Sequence, residues 1–130
     1  MIKAMEFNLS LGIEGHEGII VKLSDCATAY ASGTLDVFAT PAMIAMMEKT
    51  TMDSVSNLLP KGYATVGTQV NIRHLKPTLP GQKVSFFSKL IISDGRKLTF
   101  EVFANDESGL IGTGIHTRYI VDIDTFLNRT

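Results

Sequence analysis

The sequence predicts an α+β domain, an antiparallel β-sheet wrapped around one long central α-helix. Three observations predict it. A largely apolar run opens at Thr40-Pro41, has helical length and stops at Pro60-Lys61-Gly62. Beyond Gly62 the pattern switches to period two through about four segments. Short turn sequences, Asp94-Gly95 among them, separate those segments and join antiparallel neighbours. With 130 residues, the chain is expected to be a single domain, 1–130, because this length builds one ordinary core.

Each element has its own warrant. Phe7, Leu9 and Leu11 alternate with polar residues, as in a half-buried strand. Gly12, Gly15 and Gly18 punctuate the chain, and residues 18–23 read as a second extended piece. Residues 24–37 carry little periodicity and read as a loop with a short helical turn. Thr40 then offers a hydroxyl N-cap, with Pro41 at the first helical position. The helix is predicted to reach Leu58 or Leu59, about 18 residues or about 27 Å. Val66, Val70, Ile72 and His74 share one face of the strand that follows. Lys76-Pro77-Thr78-Leu79-Pro80-Gly81 breaks the chain. Val84, Phe86, Leu90 and Ile92 mark the next strand, and Leu98, Phe100, Val102 and Ala104 the one after. Ile111, Ile115, Tyr119, Val121 and Ile123 alternate in the last, placing His116 and Arg118 on its polar face.

Composition narrows the function. Hydrophobic residues make up 45% and charged residues 19%, enough to bury a core. A formal net charge of −1 lacks the basic footprint of a nucleic-acid binder. The longest apolar stretch, Pro41 to Met47, is far below the roughly 20 residues of a membrane span. The start, Met1-Ile2-Lys3-Ala4-Met5-Glu6, has no apolar signal region, and with the single Cys26 this points to a cytoplasmic protein. Three scattered histidines and one cysteine give no metal-ligand spacing, and no cofactor is expected. Gly112-Thr113-Gly114 is too short, and too clearly in a strand, for a phosphate loop.

One helix residue stands out. On a wheel with Ile44 at zero, Met47, Met52, Val55, Leu58 and Leu59 fall within about 80° on either side. Glu48 falls at roughly 40°, inside that apolar sector. A carboxylate there is costly unless paired or neutralised. It is either a groove-edge or Arg-paired residue, or a functional acid. Thr40 lies on the same side and reads as a plain cap or as part of a site. His74 faces inward near its strand end, as a satisfied core histidine or a catalytic one. Gly67 interrupts a β-rich run, marking a bulge or an exposed backbone N–H where a ligand approaches.

The run Val37-Phe38-Ala39-Thr40-Pro41-Ala42-Met43-Ile44-Ala45-Met46-Met47-Glu48, followed by Thr65-Val66-Gly67-Thr68 and Asn71-Ile72-Arg73-His74, resembles the hot-dog fold thioesterases. Within them it is most similar to the fluoroacetyl-CoA thioesterase type. The turn Pro77-Thr78-Leu79-Pro80-Gly81 also resembles that of hot-dog proteins. The resemblance implies a hot-dog fold, a homodimer or dimer of dimers, and acyl-CoA as substrate. It carries the catalytic roles onto Thr40, Glu48 and His74. It implies substrate contacts at Gly67, whose amide helps hold the thioester oxygen, and at Arg118, with Phe38 beside them. The fluoroacyl-selective enzyme carries lid phenylalanines just before the threonine motif. Tyr30-Ala31-Ser32-Gly33-Thr34-Leu35-Asp36 has none, so the implied activity is general hydrolysis of small acyl-CoA thioesters. Two other readings share the fold. One is a non-catalytic acyl-CoA or small-ligand binding protein. The other is an acyl-thioester hydratase or dehydratase, for which this helix offers Glu48 but no nearby histidine.

Overall fold

The computed structural model describes Phe7 and residues 9–128. The segment Met1-Ile2-Lys3-Ala4-Met5-Glu6, read above for a targeting signal, lies outside the described residues. In chain order the elements are β1 (Glu14–Ile20), a 3₁₀ turn (Leu23–Asp25), α1 (Thr40–Ser56), β2 (Tyr63–His74), β3 (Lys83–Asp94), β4 (Lys97–Asp106), β5 (Gly109–Asp122) and α2 (Ile123–Leu127). The strands form one antiparallel sheet in the order β1-β3-β4-β5-β2, with α1 packed against it.

Period-two alternation is strictest in β3 and β4. Val84, Phe86, Ser88 and Leu90 point inward, as do Leu98, Phe100, Val102 and Ala104 across the ladder. The turn between them, Gly95-Arg96, takes a left-handed φ of 59° at Gly95, which glycine adopts without strain. β3, β4 and β5 form the expected meander. β2 does not join it as a fourth consecutive strand. Residues 75–82 carry the chain across, so that β2 pairs with β5 at one edge of the sheet and β1 pairs with β3 at the other. Thr78 anchors that crossing segment: its carbonyl accepts from the Phe38 N–H, and its hydroxyl donates to Asp106.

Three expectations need correction. Phe7, Leu9 and Leu11 form no strand: Leu11-Gly12 is a turn, and the ladder of β1 begins at Glu14. Phe7 is buried edge-on against Tyr63, with the Arg96 guanidinium over its ring, so side-chain stacking rather than a ladder holds it. The helix ends at Ser56, before Leu58. The buried stripe of α1 runs through Met43, Met47, Thr50, Thr51 and Val55, centred roughly 60° from Ile44. Met52 and Leu58, which the wheel counted as buried, are exposed.

The third correction concerns β5. His116 and Arg118 point inward and are 1% and 5% exposed, while Ile115 and Tyr119 point out. A register shift between β4 and β5 at Ala104/Asn105 inverts the phase of the strand beyond Ile111. Gly112 then faces α1, where a Cβ would lie 2.5 Å from Met43 Sδ. A larger residue at 112 would displace the buried Met43 side chain.

Candidate functional site

Thr40 is the first residue of α1, and Ala39 is its N-cap. The expected hydroxyl cap is not made. The Thr40 hydroxyl instead lies 2.8 Å from Nδ1 of His74, the last residue of β2. The β2 register brings His74 opposite Gly112, beside the helix start. Nε2 of His74 is buried and has no hydrogen-bond partner among the described residues. Burial holds this imidazole below its usual range. The nearby Lys76 backbone opposes that more weakly, without forming a hydrogen bond to Nε2. The buried Phe38 ring packs edge-on at 6.3 Å from the His74 ring. Phe38, Thr40, His74, Val37, Ala27 and Lys76 line a cavity of about 310 Å³.

Glu48 lies two turns further along α1, a rise of roughly 12 Å. It is half-buried and sits roughly 100° from the centre of the buried stripe, so it flanks the apolar contact rather than occupying its middle. It faces the part of β2 where the ladder with β5 shifts register between Gly67 and Gln69. A Cβ placed on Gly67 would lie 2.9 Å from Glu48 Oε2, 3.1 Å from His116 Cε1 and 3.3 Å from Arg118 Nη1. Those three side chains converge on a point that only glycine leaves open. Glu48, Gly67, Thr65, Arg118, Ala45 and Met52 line a second cavity of about 390 Å³.

Arg118 is held by three hydrogen bonds. Its Nε donates to Thr65 Oγ1 at 2.8 Å, Nη2 to the Thr65 carbonyl at 2.9 Å, and Nη1 to His116 Nε2 at 3.1 Å. Burial pulls the guanidinium below its ordinary range, and Glu48 opposes that shift. Glu48 takes part in none of the ion pairs among the described residues. Its neighbour Lys49 is engaged by Glu17 and Asp53.

The structure therefore gathers the expected residues into two groups on one chain: Thr40, His74 and Phe38 in one cavity, and Glu48, Gly67 and Arg118 in the other. The two cavities share no lining residue. Thr65 and the inward His116 were missed. The signal for His116 was the His-x-Arg spacing, which puts His116 and Arg118 on one strand face, but the apolar residues of β5 pointed to the opposite face; nothing in the sequence singled out Thr65. Among the described residues, no group of three His, Cys, Asp or Glu side chains could hold a metal ion. Among the described residues, no helix is long and apolar enough to cross a membrane.

A five-stranded antiparallel sheet packed on one long helix, with polar side chains along the helix flank, is the hot-dog fold. Solved hot-dog structures match it closely: a protein from Thermanaerovibrio acidaminovorans superposes with a TM-score of 0.85, at 24% identity, over 92% of this chain and 88% of that one. Residues 21–124 match the fluoroacetyl-CoA-specific thioesterase family, so the chain belongs to that family of thioester hydrolases. The fluoroacetyl-CoA thioesterase of Streptantibioticus cattleyicolor is 32% identical over 91 residues, which cover 70% of this chain and 66% of that protein. A solved fluoroacetyl-CoA thioesterase superposes with a TM-score of 0.86, at 25% identity, over 93% of this chain and 94% of that one.

Proposed function

We propose that this chain is an acyl-CoA thioesterase that hydrolyses small acyl-CoA thioesters to the free acid and CoA, using Thr40, Glu48 and His74. The observation that carries the reading is the 2.8 Å contact between the Thr40 hydroxyl and His74 in a chain of this family. The Glu48 carboxylate attacks the thioester carbonyl or takes the proton of the attacking water. The C–O bond forms as the C–S bond breaks, and the sulfur takes a proton and leaves as CoA; where Glu48 itself attacks, water then hydrolyses the acyl-Glu48 anhydride, which releases the acid and restores the carboxylate. In the neutral His74, Thr40 donates to Nδ1 and the ring proton sits on Nε2, a buried donor free to serve the leaving sulfur. The Gly67 amide and the start of α1 meet the charge that grows on the carbonyl oxygen. Arg118 tempers the field around Glu48, and Phe38 fixes the His74 ring. No cofactor enters this chemistry, and CoA arrives as part of the substrate. The reading includes a cytoplasmic location, supported by the single cysteine.

Because the two groups lie about two helical turns apart, the reading includes a homodimer, alone or paired as a dimer of dimers. In it, the Thr40–His74 group of one subunit meets the Glu48 group of the next. Exposed Met52 and the open edge of β2 supply the surface for that contact.

Thiol release over a panel of acyl-CoA esters tests the activity, and Glu48→Gln tests the site. The substitution keeps shape and removes charge and nucleophilicity. Its expected cost is about 10²-fold or more in rate, with an unchanged circular dichroism spectrum. Wild-type protein that releases no thiol from any ester rules out the hydrolase reading. A variant within about threefold of wild type returns Glu48 to a structural role.

A further inference from the structure

His116 takes no part in the chemistry above, yet it is among the most buried polar side chains of the molecule, at 1% exposure. Its two ring nitrogens have different partners. Nδ1 lies 2.8 Å from the Gln69 carbonyl, which can only accept, so Nδ1 carries the proton. Nε2 lies 3.1 Å from Arg118 Nη1, which can only donate, so Nε2 presents a lone pair. The ring is therefore neutral and in one tautomer.

Each contact acts on the Glu48 cavity. Gln69 closes the register shift that begins at Gly67, so the first contact fixes the backbone that presents Gly67 to Glu48. The second holds the one terminal nitrogen of Arg118 that reaches the Gly67 point. Released from His116, Nη1 would be free to swing onto the nearby carboxylate and form a direct ion pair. Such a pair lowers the basicity and nucleophilicity of a carboxylate.

We propose that His116 is a positioning residue. As a neutral Nδ1–H imidazole it tethers Arg118 close to Glu48 but off it, leaving that carboxylate without a direct ion pair and reactive. The proposal rests on Glu48 being the reacting group. Two charged groups face the ring, Arg118 and Glu48. Burial holds the imidazole below its usual range; the Gln69 carbonyl opposes that, Arg118 adds to it and Glu48 opposes it.

Two substitutions separate the contacts. In His116→Asn the side-chain N–H sits as many bonds from the backbone as Nδ1, so the Gln69 contact survives and the Arg118 tether is lost. In His116→Gln the side-chain oxygen reaches the place of Nε2, so the tether survives. His116→Asn is expected to lower kcat roughly 10- to 100-fold with KM nearly unchanged, and His116→Gln to recover most of that loss. Equal losses in both variants, tracking a loss of thermal stability, overturn the proposal. Nitrogen NMR provides a readout that needs no turnover. The His116 ring should show a protonated Nδ1 and bare Nε2 at neutral pH. The Arg118 side-chain N–H signals should stay slowly exchanging in wild type and His116→Gln, and average in His116→Asn. A protonated Nε2, or Arg118 signals unchanged in His116→Asn, overturns it. If wild-type protein hydrolyses no ester, the hydrolase reading fails by itself, and these NMR outcomes still decide the tether.

Discussion

Gly67 is the residue at which the Glu48 cavity is most sensitive to a single atom. An alanine methyl there would sit 2.9 Å from Glu48 Oε2. That oxygen ends a flexible, half-buried side chain, so it can move aside cheaply. The methyl would also lie 3.1 Å from the buried His116 ring and 3.3 Å from Arg118, which must give by a few tenths of an ångström, so Gly67→Ala carries a modest structural cost while it displaces the carboxylate from its working place. Gly67→Ala is expected to lose roughly 10²-fold in kcat with a melting temperature lowered only modestly. A variant that melts early while keeping full activity per folded molecule would show that the glycine serves packing alone. His74 teaches the complementary lesson. Its inward face was legible from the alternation Val70, Ile72, His74, yet nothing in that pattern named Thr40 as its partner. The two residues are 34 positions apart, and the contact depends on how the crossing segment returns β2 to the helix start.

At the scale of elements, the loop before α1 decides what reaches the Thr40–His74 cavity. It is tied to itself: Thr28 donates to Asp36, the Ala27 N–H donates to the Val37 carbonyl and the Ser32 N–H to the Ala27 carbonyl. Its larger side chains, Tyr30 and Leu35, are exposed, and the cavity meets Ala27, Ser32 and Val37 instead. A mouth lined by small side chains admits water and bulkier acyl groups. We expect kcat/KM for acetyl-, fluoroacetyl-, butyryl- and phenylacetyl-CoA to lie within about 10³-fold, since one methylene in an apolar pocket is worth only about 1–3 kcal/mol. A larger preference for the fluoroacetyl ester over acetyl would mean another segment does the work of an aromatic lid. The same scale shows what sequence could and could not convey. β3 and β4 were readable because their inner residues, Ser88 apart, are apolar. β5 was read in the wrong phase because its inner face carries His116 and Arg118 while Ile115 and Tyr119 face out. The helix stripe was misplaced for a related reason: Met52 and Leu58 are apolar yet exposed. Hydrophobicity marks a face for burial but does not say against which surface.

For the whole molecule, the two buried imidazoles couple stability to pH. Burial is the main cause that lowers both His74 and His116. A lowered histidine favours the folded state when neutral, so its contribution is complete above the unfolded value of about 6.5 and is lost as pH falls toward the folded value. The melting temperature should therefore hold between neutral and mildly basic pH and drop on acidification below about pH 6.5, with a smaller drop in His116→Gln. A profile flat to pH 5, or the same drop in the variant, would assign acid sensitivity elsewhere. The spacing of Thr40 and Glu48 along one helix has a further consequence, which concerns inheritance between subunits. If each site is assembled from two chains, two crippled proteins can repair one another. Thr40→Val and Glu48→Gln are each expected to be nearly inactive alone. After unfolding, mixing in equal amounts and refolding, half the dimers are hybrids. Each hybrid carries one doubly defective site and one intact site, so about a quarter of wild-type activity returns. Light scattering on the same sample should give the mass of a dimer or of two dimers. A monomer mass, or a mixture no more active than its components, would place the whole reaction within one chain. The arrangement would also let a single defective copy silence one site of its partner while completing the other.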